Sequence, residues 1–130
     1  MPSSIPFRPT RLLIVGRNSA LRDGLLALIR EQADILVVGA PDSSGEALKL
    51  FIEAGPEVVV VDADMPGDEG LEIIRGIGLQ SPGTAIIALV TYEWDQLAMA
   101  ALAAGAVAFL PRDRIADRLL SLVRESSGRS

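Results

Sequence analysis

The sequence predicts a doubly wound α/β domain, and three observations predict it. Five short apolar runs, at 12–15, 35–39, 58–61, 85–90 and 107–110, punctuate the chain. Segments of helical periodicity separate them, so each strand reaches the next through a helical crossover. The runs are apolar at nearly every position instead of alternating, as expected of parallel strands covered on both faces. A length of 130 residues suits one domain.

Each element has its own signal. LLIV (12–15) is a buried strand ended by Gly16. Leu21, Leu25, Leu28 and Ile29 then form one stripe of a helix that Asn18 or Ser19 can cap. ILVVG (35–39) is the second strand. Ser43 and Glu46 make a capping box for a second helix on Ala47, Leu48, Phe51 and Ile52, which Gly55-Pro56 stops. VVVV (58–61) is the third strand. Asp68 or a neighbour opens a short helix through Leu71, Ile74 and Ile77, weakened by Gly76. AIIALV (85–90) is the fourth strand, Glu93 to Ala104 an alanine-rich helix ending at Gly105, and VAFL (107–110) the fifth strand. Asp113 is the expected cap of a last helix on Ile115, Leu119, Leu122 and Val123. Residues 1–9 and 126–130 read as loose termini around a domain at 10–125. Right-handed crossovers leave few topologies, and the simplest is the flavodoxin-like order 2-1-3-4-5.

Composition removes several function classes. The chain has no cysteine and no histidine, which excludes a disulfide framework, thiolate or imidazole zinc sites and histidine-based triads. A net charge of −5 argues against direct binding of nucleic acid. No apolar run approaches the length of about 18 residues that spans a membrane, so a cytoplasmic location is expected. No G-x-G-x-x-G follows the first strand, which leaves no dinucleotide fingerprint. The acids at 62, 64, 68 and 69 lack the spacing of a calcium loop.

One carboxylate stands out. In such sheets, ligands bind outside the carboxyl ends of the strands where strand order reverses, here between the first and third. Asp62 ends the third strand and therefore lies at the mouth of that crevice.

At this edge the residues resemble a known family. VVVVDADMPGDEG (58–70) resembles the phosphoacceptor segment of bacterial response-regulator receiver domains. ALVTYE (88–93) resembles their fourth strand, GAVAFLPRD (105–113) their fifth, and RLLIVGRNSALRDGLLALI (11–29) their opening strand and helix in the LuxR/NarL-like branch. The resemblance covers about residues 10 to 125. It implies Asp62 as the phosphoacceptor position, with Met65-Pro66 beyond it, and Thr91 and Phe109 as switch residues. These would report to a face made of the fourth helix, fifth strand and fifth helix. It also implies Mg²⁺ held by an acidic pair after the first strand, and a lysine after the fifth.

The departures from that pattern carry the functional reading. Gly16 and Arg17 stand at the acidic pair, and Arg112, after Pro111, stands at the lysine. Mg²⁺ binding is therefore expected to be weak or absent, since magnesium relies on carboxylates that are missing. A fixed guanidinium at Arg17 would repel a metal, and could pair with Asp62 or a neighbouring acid. Asp64, Asp68 and Glu69 are expected to point to solvent. The expectation is a stand-alone, atypical receiver, non-enzymatic, that acts through a protein partner or as a homodimer. Its contact face would be the fourth helix, fifth strand and fifth helix, with Trp94, Leu97 and Met99, or else the first and fifth helices. Two alternatives remain: a small-anion module using Arg17 and Arg112, and a working phosphoacceptor at Asp62 served by a histidine kinase.

Overall fold

The computed structural model describes residues 8–92 and 95–127. The elements are β1 (Thr10–Val15), α1 (Ser19–Arg30), β2 (Ile35–Gly39), α2 (Ser44–Ala54), β3 (Val58–Asp62), α3 (Glu69–Gln80), β4 (Ala85–Val90), α4 (Gln96–Ala104), β5 (Ala108–Pro111) and α5 (Ile115–Ser126). Single 3-10 turns, Pro66–Asp68 and Arg112–Arg114, lead into α3 and α5. All strand pairs are parallel and the order is β2-β1-β3-β4-β5, the flavodoxin-like arrangement the sequence implies.

Continuous apolar runs build two cores, one on each face of the sheet. Leu12, Ile14, Val58, Val60, Ile87 and Leu89 face Leu25 and Ile29 of α1 and Leu119 and Val123 of α5. The intervening strand residues face Phe51 of α2, Ile74 and Ile77 of α3, and Ala98 and Ala101 of α4. A fully buried leucine or isoleucine contributes about 1.5–3 kcal/mol. An exposed ion pair such as Arg124–Asp34, at 2.7 Å, contributes about 0–1 kcal/mol. The aliphatic sandwich therefore holds the fold, and the charges at its rim are free to serve other ends.

Caps fall mostly where expected. Asn18 accepts from Leu21 N at 3.0 Å and Ser43 from Glu46 N at 3.4 Å. Gly55 ends α2 at φ +58, a left-handed conformation that costs glycine little. Four local expectations are corrected. Asp113 does not cap α5: it sits inside the 3-10 turn, which itself feeds the helix. Helix α4 begins at Gln96, capped by Asp95 through Ala98 N at 2.9 Å, because that side chain supplies the first helical amide with an acceptor. The expected start at Glu93 lies outside the described residues. Strand β5 is shifted one residue, to Ala108–Pro111. Ile52 is exposed, on the far side of α2 from Phe51.

Candidate functional site

Strand register brings the site together. Val15 pairs with Val61, so Gly16 stands beside Asp62. Val90 pairs with Pro111, so Thr91 and Arg112 leave the sheet side by side. An ideal Cβ on Gly16 would lie 3.2 Å from Asp62 Cβ. Gly70, at the start of α3, passes even closer: a Cβ there would meet the Asp62 carbonyl oxygen at 2.6 Å and Ala63 Cα at 2.9 Å. Both contacts are with backbone, so the loop can close over the strand end only with glycine at 70.

Asp62 is 4 % exposed. Its Oδ1 accepts from Arg112 Nη2 at 2.8 Å and from Asp64 N at 3.0 Å. Arg112 Nη2 also lies 3.8 Å from Asp64 Oδ2. That same Asp64 oxygen accepts from Thr91 Oγ1 at 2.5 Å. One guanidinium thus bridges two carboxylates, and the second carboxylate ties down the end of β4. Arg112 Nε is buried and has no hydrogen-bond partner among the described residues.

Arg17 does not reach Asp62. Its Nε donates to Glu69 Oε1 at 2.7 Å, while Glu69 Oε2 accepts from Ser44 N at 2.8 Å. Glu69 therefore links the β1–α1 loop, the start of α3 and the N-terminus of α2, where a carboxylate also meets the positive end of the helix dipole. The expectation that Glu69 points to solvent is corrected as well, since its side chain is only 15% exposed, whereas Asp64 is exposed as expected even though it contacts Thr91 and Arg112. Two arginines converge on the strand ends, and each draws in an acid from the β3–α3 loop to balance its charge. Asp68 is exposed as well, in a left-handed conformation at φ 62.

The Glu69–Arg17 pair is pH-sensitive in a defined direction. The Arg17 hydrogen bond, then the Ser44 amide, hold the Glu69 carboxyl below its ordinary value, and the Glu69 hydrogen bond raises Arg17. The Arg124 hydrogen bond lowers Asp34 in the same sense. A carboxyl whose folded pKa is depressed binds fewer protons folded than unfolded. Its stabilisation is complete above the ordinary value of about 4 and is lost as pH falls through the lowered folded value. Urea unfolding across that acid range is expected to show a falling midpoint, and Glu69→Gln is expected to flatten the fall. An unchanged slope in Glu69→Gln would remove the pair from the linkage.

Phe109 is half-buried and packs against the α2–α3–α4 core. Leu97 is turned inward and Met99 is 44 % exposed, so the two do lie on different sides of α4. Trp94 lies outside the described residues. Tyr92, Leu102 and Val107 add exposed apolar surface that periodicity did not single out.

Similarity to known proteins follows the same outline. The response regulator receiver domain profile matches residues 12–124. The chain is 28% identical over 117 residues to the transcriptional regulatory protein LiaR of Bacillus subtilis, covering 90% of this chain and 56% of that protein. It is 30% identical over 114 residues to the response regulator GacA of Pseudomonas viridiflava, covering 88% and 53%. The chain thus spans about half the length of these curated relatives. Among solved structures, the response regulator domain of Thermotoga maritima CheB superposes with a TM-score of 0.83 at 29% identity, over 95% of this chain and 99% of that one. A LuxR-family DNA-binding response regulator from Staphylococcus aureus gives 0.81 at 25% identity, over 92% and 99%. Among the described residues no helix is long and apolar enough to cross a membrane. The matched span, the strand order and the aspartate at the end of β3 agree: this chain belongs to the response regulator receiver domain family of two-component signalling.

Proposed function

We propose that this chain is an atypical receiver, whose phosphoacceptor position, Asp62, is closed by internal ion pairs. It acts through protein contacts with little or no magnesium-dependent phosphorylation. The observation that carries this is the 2.8 Å pair between Arg112 and Asp62 Oδ1. Asp62 Oδ1 already accepts two hydrogen bonds, and the Arg112 cation beside it offsets the charge that would draw Mg²⁺ to this carboxylate, so attack would rest on Oδ2 without a metal to stabilise the developing charge.

Magnesium is the ion the family implies, and the donor set does not fit it. The two positions beside Asp62 carry Gly16 and Arg17, neither of which offers an anionic oxygen. Asp64 is shared between Arg112 and Thr91, and Glu69 between Arg17 and Ser44. Asp62, Asp64 and Glu69 each face a cation or a donor, and magnesium requires several oxygens in near-octahedral array.

The Thr91–Asp64 bond supports a further part of the reading. The end of β4 is held toward the site by the protein's own acid, without any added group. The α4–β5–α5 face then presents one arrangement to a partner in the cytoplasm. The pairing of Arg17 with Glu69 and of Arg112 with Asp62 disfavours an anion pocket, which would need both guanidiniums open.

The test is a Mg²⁺ titration followed by acetyl phosphate or beryllofluoride. Trp94 fluorescence and intact mass are the readouts. A flat trace and unchanged mass are expected. A saturable response to Mg²⁺ together with a phosphoryl adduct on Asp62 would overturn the proposal.

A further inference from the structure

We propose that the outer edge of β2 is a self-pairing surface, on which a second copy of this chain adds its own β2 in antiparallel register. The β2 strand is the outermost on its side of the sheet. Its sequence, ILVVG, contains no charge and no proline, two of the devices that protect an open edge, and its one irregularity, the register shift at Val38 against β1, leaves Ile35–Val37 regular. Leu36 is 46 % exposed. A groove of about 390 Å³ runs along the strand, lined by Ile35–Ala40 with Leu26, Ile29 and Arg30 of α1.

The chemistry of a sheet edge selects its occupant. Outward amides and carbonyls on alternate residues require an extended backbone, and the apolar side chains require an apolar strand. The other open edge, β5, ends in Pro111 and is flanked by Arg114 and Arg118, so it suits such pairing poorly. Residues 1–7 carry Pro2 and Pro6, which break a continuous ladder. The strand that meets both requirements is β2 itself, and a two-fold axis makes the contact self-complementary.

Charge favours the antiparallel sense. Arg30 lies beside the N-terminal end of β2, and Asp42 is exposed three residues beyond its C-terminal end. Antiparallel pairing sets the start of one strand against the end of the other, so each Arg30 approaches the other copy's Asp42. Asp34, which otherwise places a negative charge at the strand entrance, is already neutralised by Arg124 at 2.7 Å.

Sedimentation velocity across a concentration series, with amide exchange in parallel, tests this. The wild-type chain is expected to dimerise, with protection of the 35–39 amides rising with dimer fraction. Leu36→Lys, at an exposed position that leaves the core intact, is expected to weaken the dimer at least about tenfold, since two like charges then meet across the axis. Arg30→Asp is expected to weaken it as well, and Arg30→Asp with Asp42→Arg to restore it. A chain that stays monomeric overturns the proposal. So does a dimer that Leu36→Lys leaves unchanged, or one that forms without protecting 35–39, since it must then use another face. Concentration-independent protection of the 35–39 amides that do not pair with β1 also overturns it, because the outer edge is then covered within one chain.

Discussion

Replacing Arg112 by methionine is expected to cost about 2 kcal/mol of unfolding free energy near neutral pH. Methionine keeps an unbranched apolar stem of similar reach, so packing changes little and the charge is what is removed. Asp62 would be left 4 % exposed without its cation. Removing one partner of a buried pair typically costs about 3–5 kcal/mol. The figure here is set lower because the Arg112 side chain is 31% exposed and water screens part of the interaction. Asp64 would lose a counter-charge in the same step. The check is a double-mutant cycle by urea unfolding with Asp62→Asn. Arg112→Met with Asp62→Asn should be more stable than Arg112→Met alone, since the stranded charge is gone. Additive losses would mean that the two side chains are neighbours without energetic coupling.

That pair shows where sequence reasoning reached and where it stopped. The five strands and their order were legible because each run is apolar at nearly every position and helical segments separate the runs, a combination that suits a doubly covered parallel sheet. Asp62 was legible as a strand-end carboxylate at the reversal of strand order, and Gly16, Arg17 and Arg112 as neighbours of it. Which arginine met which acid was not legible. Arg17 follows β1 and Asp62 ends β3, adjacent strands, so Asp62 and its neighbouring acids were equally natural partners. The side chain turns to Glu69, which also takes the Ser44 amide, because one carboxylate there satisfies a cation and a helix end together. Arg112 crosses over from β5 because the 3-10 turn after Pro111 carries it back over the strand ends. Turn geometry of three residues decides this, and hydrophobic periodicity says nothing about it. A usable signal was present: two cations converge on the strand ends, and the β3–α3 loop holds the nearest acids.

Installing an acidic pair after β1 and a lysine after β5, the groups the proposed reading takes as absent, is expected to have the largest effect of all. The variant Gly16→Asp, Arg17→Asp, Arg112→Lys should take up Mg²⁺ in a saturable way and raise phosphorylation of Asp62 by acetyl phosphate on the order of a hundredfold over the unmodified chain. A divalent ion at a phosphoryl-transfer site stabilises developing charge by several kcal/mol, and about 1.4 kcal/mol is worth tenfold in rate. The backbone already accommodates the first change: a Cβ at position 16 clears Asp62 Oδ2 by 3.8 Å and meets only its Cβ at 3.2 Å, a contact that a small shift relieves. The second change releases Glu69 from Arg17, though Ser44 still holds its other oxygen. The third exchanges a guanidinium whose Nη2 faces both Asp62 and Asp64 for a single ammonium on a more flexible stem. Arg112→Lys alone should not suffice, since it adds no oxygen for a metal. Asp62→Asn within the triple variant should abolish the adduct and so fix its position. If the triple variant folds, by circular dichroism and an unchanged unfolding slope, yet shows neither metal response nor adduct, the block does not lie in these ion pairs. The closed site would then be a consequence of how the β4–α4 and β3–α3 loops pack, with Thr91 and Asp64 at its centre.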